Sequence, residues 1–398
     1  MDTTVMTIAG KTAETMRAHG YMESSVAQTL KGFRYLADHC GGRPYTPALG
    51  REWIEAAKPG GGRYRENYIG FKRKIVHLRD SYAADEEVDL STRNCAPPQP
   101  APESPLLLET LSAYGEHNGE RGLAPSTCSC YERLAREYAL FLEGSGIADA
   151  DDADAASVLG FMATMSAKWA GASTYHLASN LRPFLKWLGR DDLVDAVAMS
   201  GPRREHRIVP VLADEDEDEE AVASACCSGA VPAGDAAITL LALTAGMRAC
   251  DIVALEIASV GWRTSTITTV QQKTGNPVTV PMSEGLAEAL GRYLLEERPG
   301  SRSGNVFVRQ KAPHVPYADH SAVYAATRRT LAAAGVAGGG TRLLRHNAAS
   351  KMLKAGTPLP VISSVLGHAD PDSTNVYMEA DERSMAACVL PLPRGCAK

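Results

Sequence analysis

Apolar residues recur every three to four positions through residues 1–95, and this spacing predicts an all-helical segment. One helix is expected to follow the capping candidates Ser24 and Ser25, and a later helix covers about Tyr64–Tyr82. Basic side chains lie among the apolar positions of the later helix, namely Lys72, Arg73 and Arg79.

Residues 104–198 show the same helical spacing in a second block. A helix begins at Pro125 and Ser126 and ends at Gly144, and a second helix spans about Ala155–Met165. A third begins after Ser173 and Thr174. This block is therefore also predicted to be all-helical.

The pattern becomes mixed after residue 208. An apolar helix is predicted over Ala236–Gly246, and two β-rich runs, Ser265–Val270 and Val278–Val280, flank the turn residues Lys273–Asn276. Such a turn between two β-rich runs predicts a hairpin. Further helices are predicted over Glu284–Glu297, Ala322–Ala334, His346–Ala355 and Val361–Leu366.

The expected fold class is therefore mainly α with a small antiparallel β-sheet. Two composition breaks divide the chain, one rich in proline and one rich in arginine. The predicted organisation is a helical N-terminal domain (1–95), a proline-rich linker (96–103), a second helical domain (104–198), a basic linker (199–207), a mixed α+β domain (208–385) and a tail (386–398).

The formal net charge of −6 does not by itself indicate a nucleic-acid partner. One unbroken run of seven acids, Asp214–Glu220, exceeds that whole excess, while basic residues cluster at Lys72–Lys74 and at Arg203 and Arg204. Since charge runs are usually solvated faces, these clusters permit a DNA partner without requiring one.

Other classes of protein are disfavoured by composition. The nine cysteines include no CxxC pair, so reduced thiols are favoured over a zinc site. No apolar run approaches the roughly 20 residues that span a membrane, and the N-terminus does not resemble a signal peptide. A cytoplasmic protein without a membrane partner is expected. No glycine motif typical of nucleotide binding follows a predicted strand.

A set of polar residues in the last 160 positions matches the needs of phosphodiester cleavage. Tyr377 is the candidate nucleophile, and nearby positive charge would help its hydroxyl to ionise. Arg248 and Arg345 offer planar forks of donors for phosphate oxygens. His368 can donate to the phosphate, and Lys273 can protonate the leaving 5′ oxygen as a general acid.

Each of these residues also has a purely structural interpretation. Tyr377 could be a packed aromatic residue and Arg248 a cation at a helix C-terminus. Lys273 could be a solvated turn lysine, and His368 could cap a turn. Their combination favours the chemical interpretation.

Four segments together resemble the tyrosine recombinase (phage integrase) family. Leu240–Leu255 resembles the box that holds the first catalytic arginine, and Lys273-Thr274-Gly275 resembles the hairpin lysine. Leu344–His368 is similar to the second box, and Pro371–Tyr377 to the nucleophile segment. The order and spacing of these segments agree across residues 208–385.

The resemblance assigns expected roles to the remaining segments. Residues 104–198 look like the helical, SAM-like core-binding domain of the family, and residues 1–95 would be an extra DNA-binding domain or a protein-contact domain. The tail would pack on a neighbouring protomer, or else in cis. The expected DNA contacts are Lys72, Arg73, Arg79, Ser173, Thr174, Arg182, Lys186, Arg203 and Arg204.

One position departs from the family pattern. The family has a histidine three residues before its second arginine, and here that position is Arg342. An arginine can brace a phosphate but cannot accept the proton of Tyr377. Asp251, three residues after Arg248, is expected to orient that arginine through a charged pair, or else to be a surface acid.

The resemblance implies a site-specific DNA recombinase or integrase, expected to serve a mobile element. Its members form a 3′-phosphotyrosine that stores the bond energy, so no ATP, metal or other cofactor is expected. A homotetramer on two double-stranded DNA sites is implied, with a monomer or dimer when free and helper recombinases as further partners. The alternatives are a type IB topoisomerase-like resolvase and, because of Arg342, a DNA-binding accessory protein without catalysis.

Overall fold

The computed structural model describes residues 4–56, 63–85, 87–90, 99–169, 171–200, 212 and 215–367. The chain divides into two compact units, one formed by Met1–Ala96 with Ile208–Lys398, and the other by Pro97–Arg207. The predicted fold class is confirmed, since helices dominate and the described strands form one small antiparallel sheet. No helix in the described ranges is long and apolar enough to cross a bilayer.

The described residues of the N-terminal segment form four helices around a core of their own. They are α1 (Val5–Ala18), α2 (Glu23–Cys40), α3 (Pro47–Glu55) and α4 (Arg63–Asp85). The predicted caps Ser24 and Ser25 are wrong, because α2 begins at Glu23 and Met22 occupies the N-cap position. The long helix predicted over Tyr64–Tyr82 is confirmed as α4.

The second unit also has its own helical core. Its helices are α5 (Pro105–Glu120), α6 (Pro125–Gly144), α7 (Ala155–Lys168), α8 (Gly171–Trp187) and α9 (Asp191–Ser200). The bounds predicted for α6 are confirmed, and proline at its first position fits a helix start, where the missing N–H has no intrahelical partner. Asp154 and Ser157 form a capping box that begins α7.

The remaining described residues form a mixed segment around the wholly buried helix α11 (Ala233–Leu243). Its other helices are α10 (Glu215–Cys227), α12 (Ala249–Ala254), α13 (Glu284–Arg292), α14 (Ser321–Ala333), α15 (Thr341–Lys354) and α16 (Leu359–Leu366). One π-helical turn, Tyr293–Glu297, continues α13, and Glu297 accepts hydrogen bonds from the first two backbone N–H groups of α11.

The predicted hairpin is confirmed within a three-stranded sheet. Strand β1 (Val260–Gly261) pairs with β2 (Thr266–Val270), and β2 pairs with β3 (Pro277–Pro281), both antiparallel. The inward-facing residues Ile267 and Val280 are opposite each other in the register and are both buried. In the turn after β2, Gln271 is buried, whereas Gln272 and Lys273 are exposed.

The largest difference from the predicted helices concerns α15. It begins at Thr341 rather than His346, so Arg342 and Arg345 lie inside its first two turns. The polar residues of this stretch give no clear apolar period, and the helix is instead fixed by packing, since Leu344, Ala348 and Ala349 are buried. Helical spacing therefore sets the directions of the two arginines.

Candidate active site

Arg248 is positioned by a tight turn between α11 and α12. Gly246 takes φ +61°, a left-handed conformation that glycine adopts without a Cβ penalty, and the N–H of Met247 donates to the carbonyl of Leu241 at 3.0 Å. Arg248 then serves as the extended N-cap residue of α12. It therefore begins a helix and is not a cation at a helix C-terminus.

The half-buried guanidinium of Arg248 has two described partners. Its Nη1 donates to Oε1 of Gln271, and its Nη2 donates to the carbonyl of Gly367 at 3.3 Å. Since both partners are uncharged, the positive charge of Arg248 is held in place without being cancelled by them.

Arg345 is the more buried of the two arginines, with 7% of its surface exposed. Its Nη1 donates to the carbonyl of Gly246 at 2.5 Å, and its Nη2 donates to the carbonyl of Leu366 at 2.9 Å. The turn at Gly246 therefore positions both arginines, because it directly precedes Arg248 and its carbonyl accepts a hydrogen bond from Arg345.

The two arginines meet at the C-terminal end of α16. The last carbonyls of a helix lack intrahelical donors and carry partial negative charge, so they attract cations. Leu366 accepts from Arg345 and Gly367 accepts from Arg248, which places two guanidinium groups on consecutive carbonyls. The structure thus brings together two residues that lie 97 positions apart in the sequence.

Asp251 does not hydrogen-bond to Arg248, which corrects the expected charged pair. Its buried carboxylate instead accepts from the backbone N–H of Gln272 at 2.8 Å, just before the hairpin turn. Burial and this carboxylate together raise the pKa of the neighbouring Cys250 thiol. Asp251 therefore fixes the hairpin, and Lys273 lies exposed in the turn that follows.

Arg342 lies on the exposed side of the first turn of α15. Its Nε donates to Nε2 of His346 at 3.1 Å. The position thus presents a cation to solvent one helical turn before Arg345, and is not packed into the core. His346, next to Arg345 in sequence, is therefore a further polar residue beside the site that the sequence motifs do not predict.

Several predicted site residues lie outside the described residues. These are His368, the nucleophile candidate Tyr377, and the two linker arginines Arg203 and Arg204. In sequence, His368 directly follows Gly367, whose carbonyl already accepts from Arg248.

Burial corrects two predicted DNA contacts. Lys72 is 4% exposed, its Nζ donates to the carbonyl of Trp53 at 2.5 Å, and burial lowers its pKa. Thr174 is 1% exposed within α8. Most of the Arg79 side chain is buried, and its guanidinium lies 3.9 Å from the ring centre of Tyr45.

The other described candidates keep some exposure. Lys186 is exposed, while Arg73, Ser173 and Arg182 are half-buried. Their roles as DNA contacts stay predictions.

Gln271 contacts a site residue and the carboxylate of Glu219 contacts α15, although no sequence pattern predicts either contact. Gln271 follows β2 with no motif to distinguish it from Gln272, yet only Gln271 is buried. Glu219 belongs to the acidic run Asp214–Glu220, which as a charge run predicts a solvated face, but its carboxylate accepts a hydrogen bond from Asn347 of α15.

The arrangement suits a doubly charged phosphoryl transition state. Two guanidinium groups oriented by neutral acceptors can stabilise negative charge on non-bridging oxygens, and they need little reorganisation because they are already placed. No group of His, Cys, Asp and Glu side chains in the described part of the chain is arranged to hold a metal ion.

Comparison with known proteins gives a consistent result. The sequence profile of the phage integrase family matches residues 214–383. The Sinorhizobium fredii protein y4gC, named as an integrase/recombinase, is 35% identical over 167 residues, which are 41% of this chain and 85% of the relative. The tyrosine recombinase XerD of Ralstonia nicotianae is 26% identical over 309 residues, covering 75% of this chain and 99% of XerD.

A solved structure extends the similarity in fold to nearly the whole chain. The XerH site-specific recombinase, in a post-cleavage complex with a palindromic difH substrate, covers 96% of this chain and 93% of its own. The TM-score is 0.54 at 12% sequence identity. This likeness concerns the fold.

Proposed function

Because this chain belongs to the phage integrase family of tyrosine recombinases, and is thus a site-specific DNA recombinase, we propose that Tyr377 is its nucleophile. The phenolate oxygen of Tyr377 attacks the scissile phosphorus of double-stranded DNA. The bond from phosphorus to the 5′ oxygen breaks, which leaves a 3′-phosphotyrosine and a free 5′-hydroxyl. Attack by a 5′-hydroxyl of another strand reverses the step and rejoins the DNA.

The convergence of Arg248 and Arg345 on consecutive carbonyls is the observation that carries this proposal. The two cations bind the non-bridging oxygens, where negative charge accumulates in the transition state. Lys273, exposed in the hairpin turn, gives its proton to the leaving 5′ oxygen. His368, the residue after Gly367, donates to the phosphate.

The proposed DNA partner and the proposed assembly are supported by the similar proteins of known structure. XerH was solved on a palindromic DNA site, which suits a pair of protomers related by symmetry. We extend this to four protomers on two duplexes, exchanging strands in pairs, and to a role in a mobile element. Residues 1–95 are proposed to add a further DNA contact through residues such as Arg73.

Covalent trapping on DNA tests the proposal. Overlapping nicked duplexes are made that together cover the DNA flanking the coding sequence. The parent protein should form a covalent adduct with the duplex that contains its target site. Tyr377→Phe should abolish the adduct and leave DNA binding unchanged, because only one hydroxyl is lost. An adduct that persists in this variant would remove Tyr377 from the nucleophile role.

The arginine variants give an independent check. Arg248→Ala and Arg345→Ala should each slow cleavage by at least about 10²-fold, the usual cost of removing one preorganised oxyanion partner. Rates close to that of the parent would place the clamp elsewhere. Strand exchange between two duplexes separates a recombinase from a relaxing topoisomerase.

Arg342 favours a second candidate, a DNA-binding accessory protein that has lost catalysis. Its guanidinium occupies the position at which the family has a proton-accepting histidine. Under this second interpretation the parent binds DNA and forms no adduct on any of the overlapping duplexes.

A further inference from the structure

Gln271 is a buried glutamine at the base of the hairpin that carries Lys273. Only 4% of its surface is exposed, although it follows directly on β2. Its backbone N–H donates to the carbonyl of Asn276 at 2.9 Å, and its carbonyl accepts from the N–H of Gly275 at 2.8 Å. The backbone of Gln271 therefore closes the turn, and its side chain is not needed for this closure.

Both ends of the Gln271 side chain are engaged with the candidate active site. Oε1 accepts from Nη1 of Arg248 and from the hydroxyl of Thr274, the latter at 2.9 Å. Nε2 donates to the carbonyl of Leu366 at 2.8 Å, the same carbonyl that accepts from Arg345. Because an arginine only donates and a carbonyl only accepts, these partners fix which end of the amide faces which group.

The end of α16 leaves room for this amide and for little else. Gly367 takes φ +62°, and a Cβ at this position would overlap the amide group of Gln271. Glycine is therefore needed here both for its backbone conformation and for its lack of a side chain. The close approach lets one amide reach the hairpin, Arg248 and the end of α16 together.

We propose that Gln271 is a positioning residue, which holds the guanidinium of Arg248 in the geometry needed to bind the scissile phosphate. Without the amide, the carbonyl of Gly367 is the acceptor left to Arg248 among the described contacts. An arginine side chain held at one point keeps much of its rotational freedom, and misplacement of a catalytic group lowers the rate steeply.

A neutral amide suits this task better than a carboxylate would. Aspartate or glutamate binds a guanidinium more strongly, through charge-assisted hydrogen bonds. Such a pair, however, would offset the positive charge that Arg248 must direct at the phosphate. Gln271 orients the cation and leaves its charge available.

The inference rests on the proposed cleavage chemistry, and near-isosteric variants test it. Gln271→Met keeps the length of the side chain and removes its hydrogen bonds with Arg248, Thr274 and Leu366. Gln272→Met is the matched control, because the Gln272 side chain is exposed and its backbone bond to Asp251 is retained. Thermal unfolding of both variants is measured to check that each is folded.

Single-turnover cleavage on the nicked duplex is the primary measurement. Gln271→Met should lower the cleavage rate at saturating DNA by about 10- to 100-fold, at or below the loss from removing an oxyanion partner outright. Its DNA affinity and the rate of Gln272→Met should both match the parent. If the two methionine variants cleave equally fast, the positioning role is refuted.

Two further readouts identify the group through which Gln271 acts. In an Arg248→Ala background, Gln271→Met should cause little additional loss, because the residue that it positions is already gone. A substrate with a thiol as its 5′ leaving group needs no proton, so it should rescue Lys273→Ala but not Gln271→Met. An undiminished loss in the alanine background, or rescue of Gln271→Met by the thiol substrate, would overturn the assignment to Arg248.

The parent protein separates the failure of this inference from that of the proposed function. A parent that forms no covalent adduct refutes both. A parent that forms the adduct, together with a Gln271→Met variant that cleaves like Gln272→Met, refutes the positioning role alone.

Discussion

Removal of the Glu219 carboxylate should destabilise the segment that carries Arg345. Oε2 of Glu219 in α10 accepts from the side-chain amide of Asn347 at 2.7 Å, and Oε1 lies 3.0 Å from Nζ of Lys351. Both partners lie in α15, and Asn347 is completely buried. Glu219→Ala therefore deprives a buried amide of a charged acceptor.

The magnitude follows from the burial of the two contacts. A hydrogen bond to a charged group contributes about 1.5–3 kcal/mol, and here its loss leaves a buried donor without this acceptor. The Lys351 side chain is 42% exposed, so solvent screening limits that ion pair to about 0.2–1 kcal/mol. The expected loss in the free energy of unfolding is about 2–4 kcal/mol, or roughly 4–16 °C in Tm for a segment of this size.

Urea unfolding and scanning calorimetry measure this loss. Glu220→Ala is the control, because it removes the same charge from an exposed position of the same helix and should change stability by less than about 0.5 kcal/mol. Glu219→Gln, which keeps a neutral acceptor for Asn347, should fall between the control and the alanine variant. Equal stability of Glu219→Ala and Glu220→Ala would refute the argument.

The remaining predictions concern Arg342, Gly367 and Cys226. Arg342→His should keep or raise the cleavage rate and make it depend on pH at about pH 6.5, whereas Arg342→Ala should lower the rate. Identical adduct yields for both variants and the parent would contradict this prediction. Gly367→Ala should slow cleavage more than Gly356→Ala, since both positions have positive φ but only Gly367 faces the Gln271 amide. Burial raises the pKa of Cys226 to about 12, so mass spectrometry should show slower alkylation there than at the exposed cysteines.

The sequence predicted the helices and the hairpin where apolar spacing was strong. The bounds of α6 and the hairpin around Lys273 were correct because proline, glycine and β-branched residues mark those boundaries locally. The start of α15 was missed because polar residues fill its first two turns and packing alone decides that they are helical.

The contacts within the site could not be predicted from local signals. The hydrogen bond from Gln271 to Leu366 joins residues 95 positions apart, and no local motif marks either residue as part of the site. The spacing of three residues predicts a pair between Asp251 and Arg248, but the carboxylate accepts instead from the backbone of the hairpin. Lys72 was expected at the surface, although its long side chain can be buried where an aromatic ring and a carbonyl receive the ammonium.

The dependence of both arginines on α16 has a consequence for native-state fluctuations. This helix has only eight residues, and its small apolar cluster with α15 is built around Ala349, Ile362 and Leu366. Short elements with little buried surface open locally far more often than the whole protein unfolds. Each such opening removes an acceptor from Arg345 and from Arg248 at the same moment. Arg345 keeps Gly246 and Arg248 keeps Gln271 in such an opening, so we expect the two arginines to lose part of their orientation together and to regain it together.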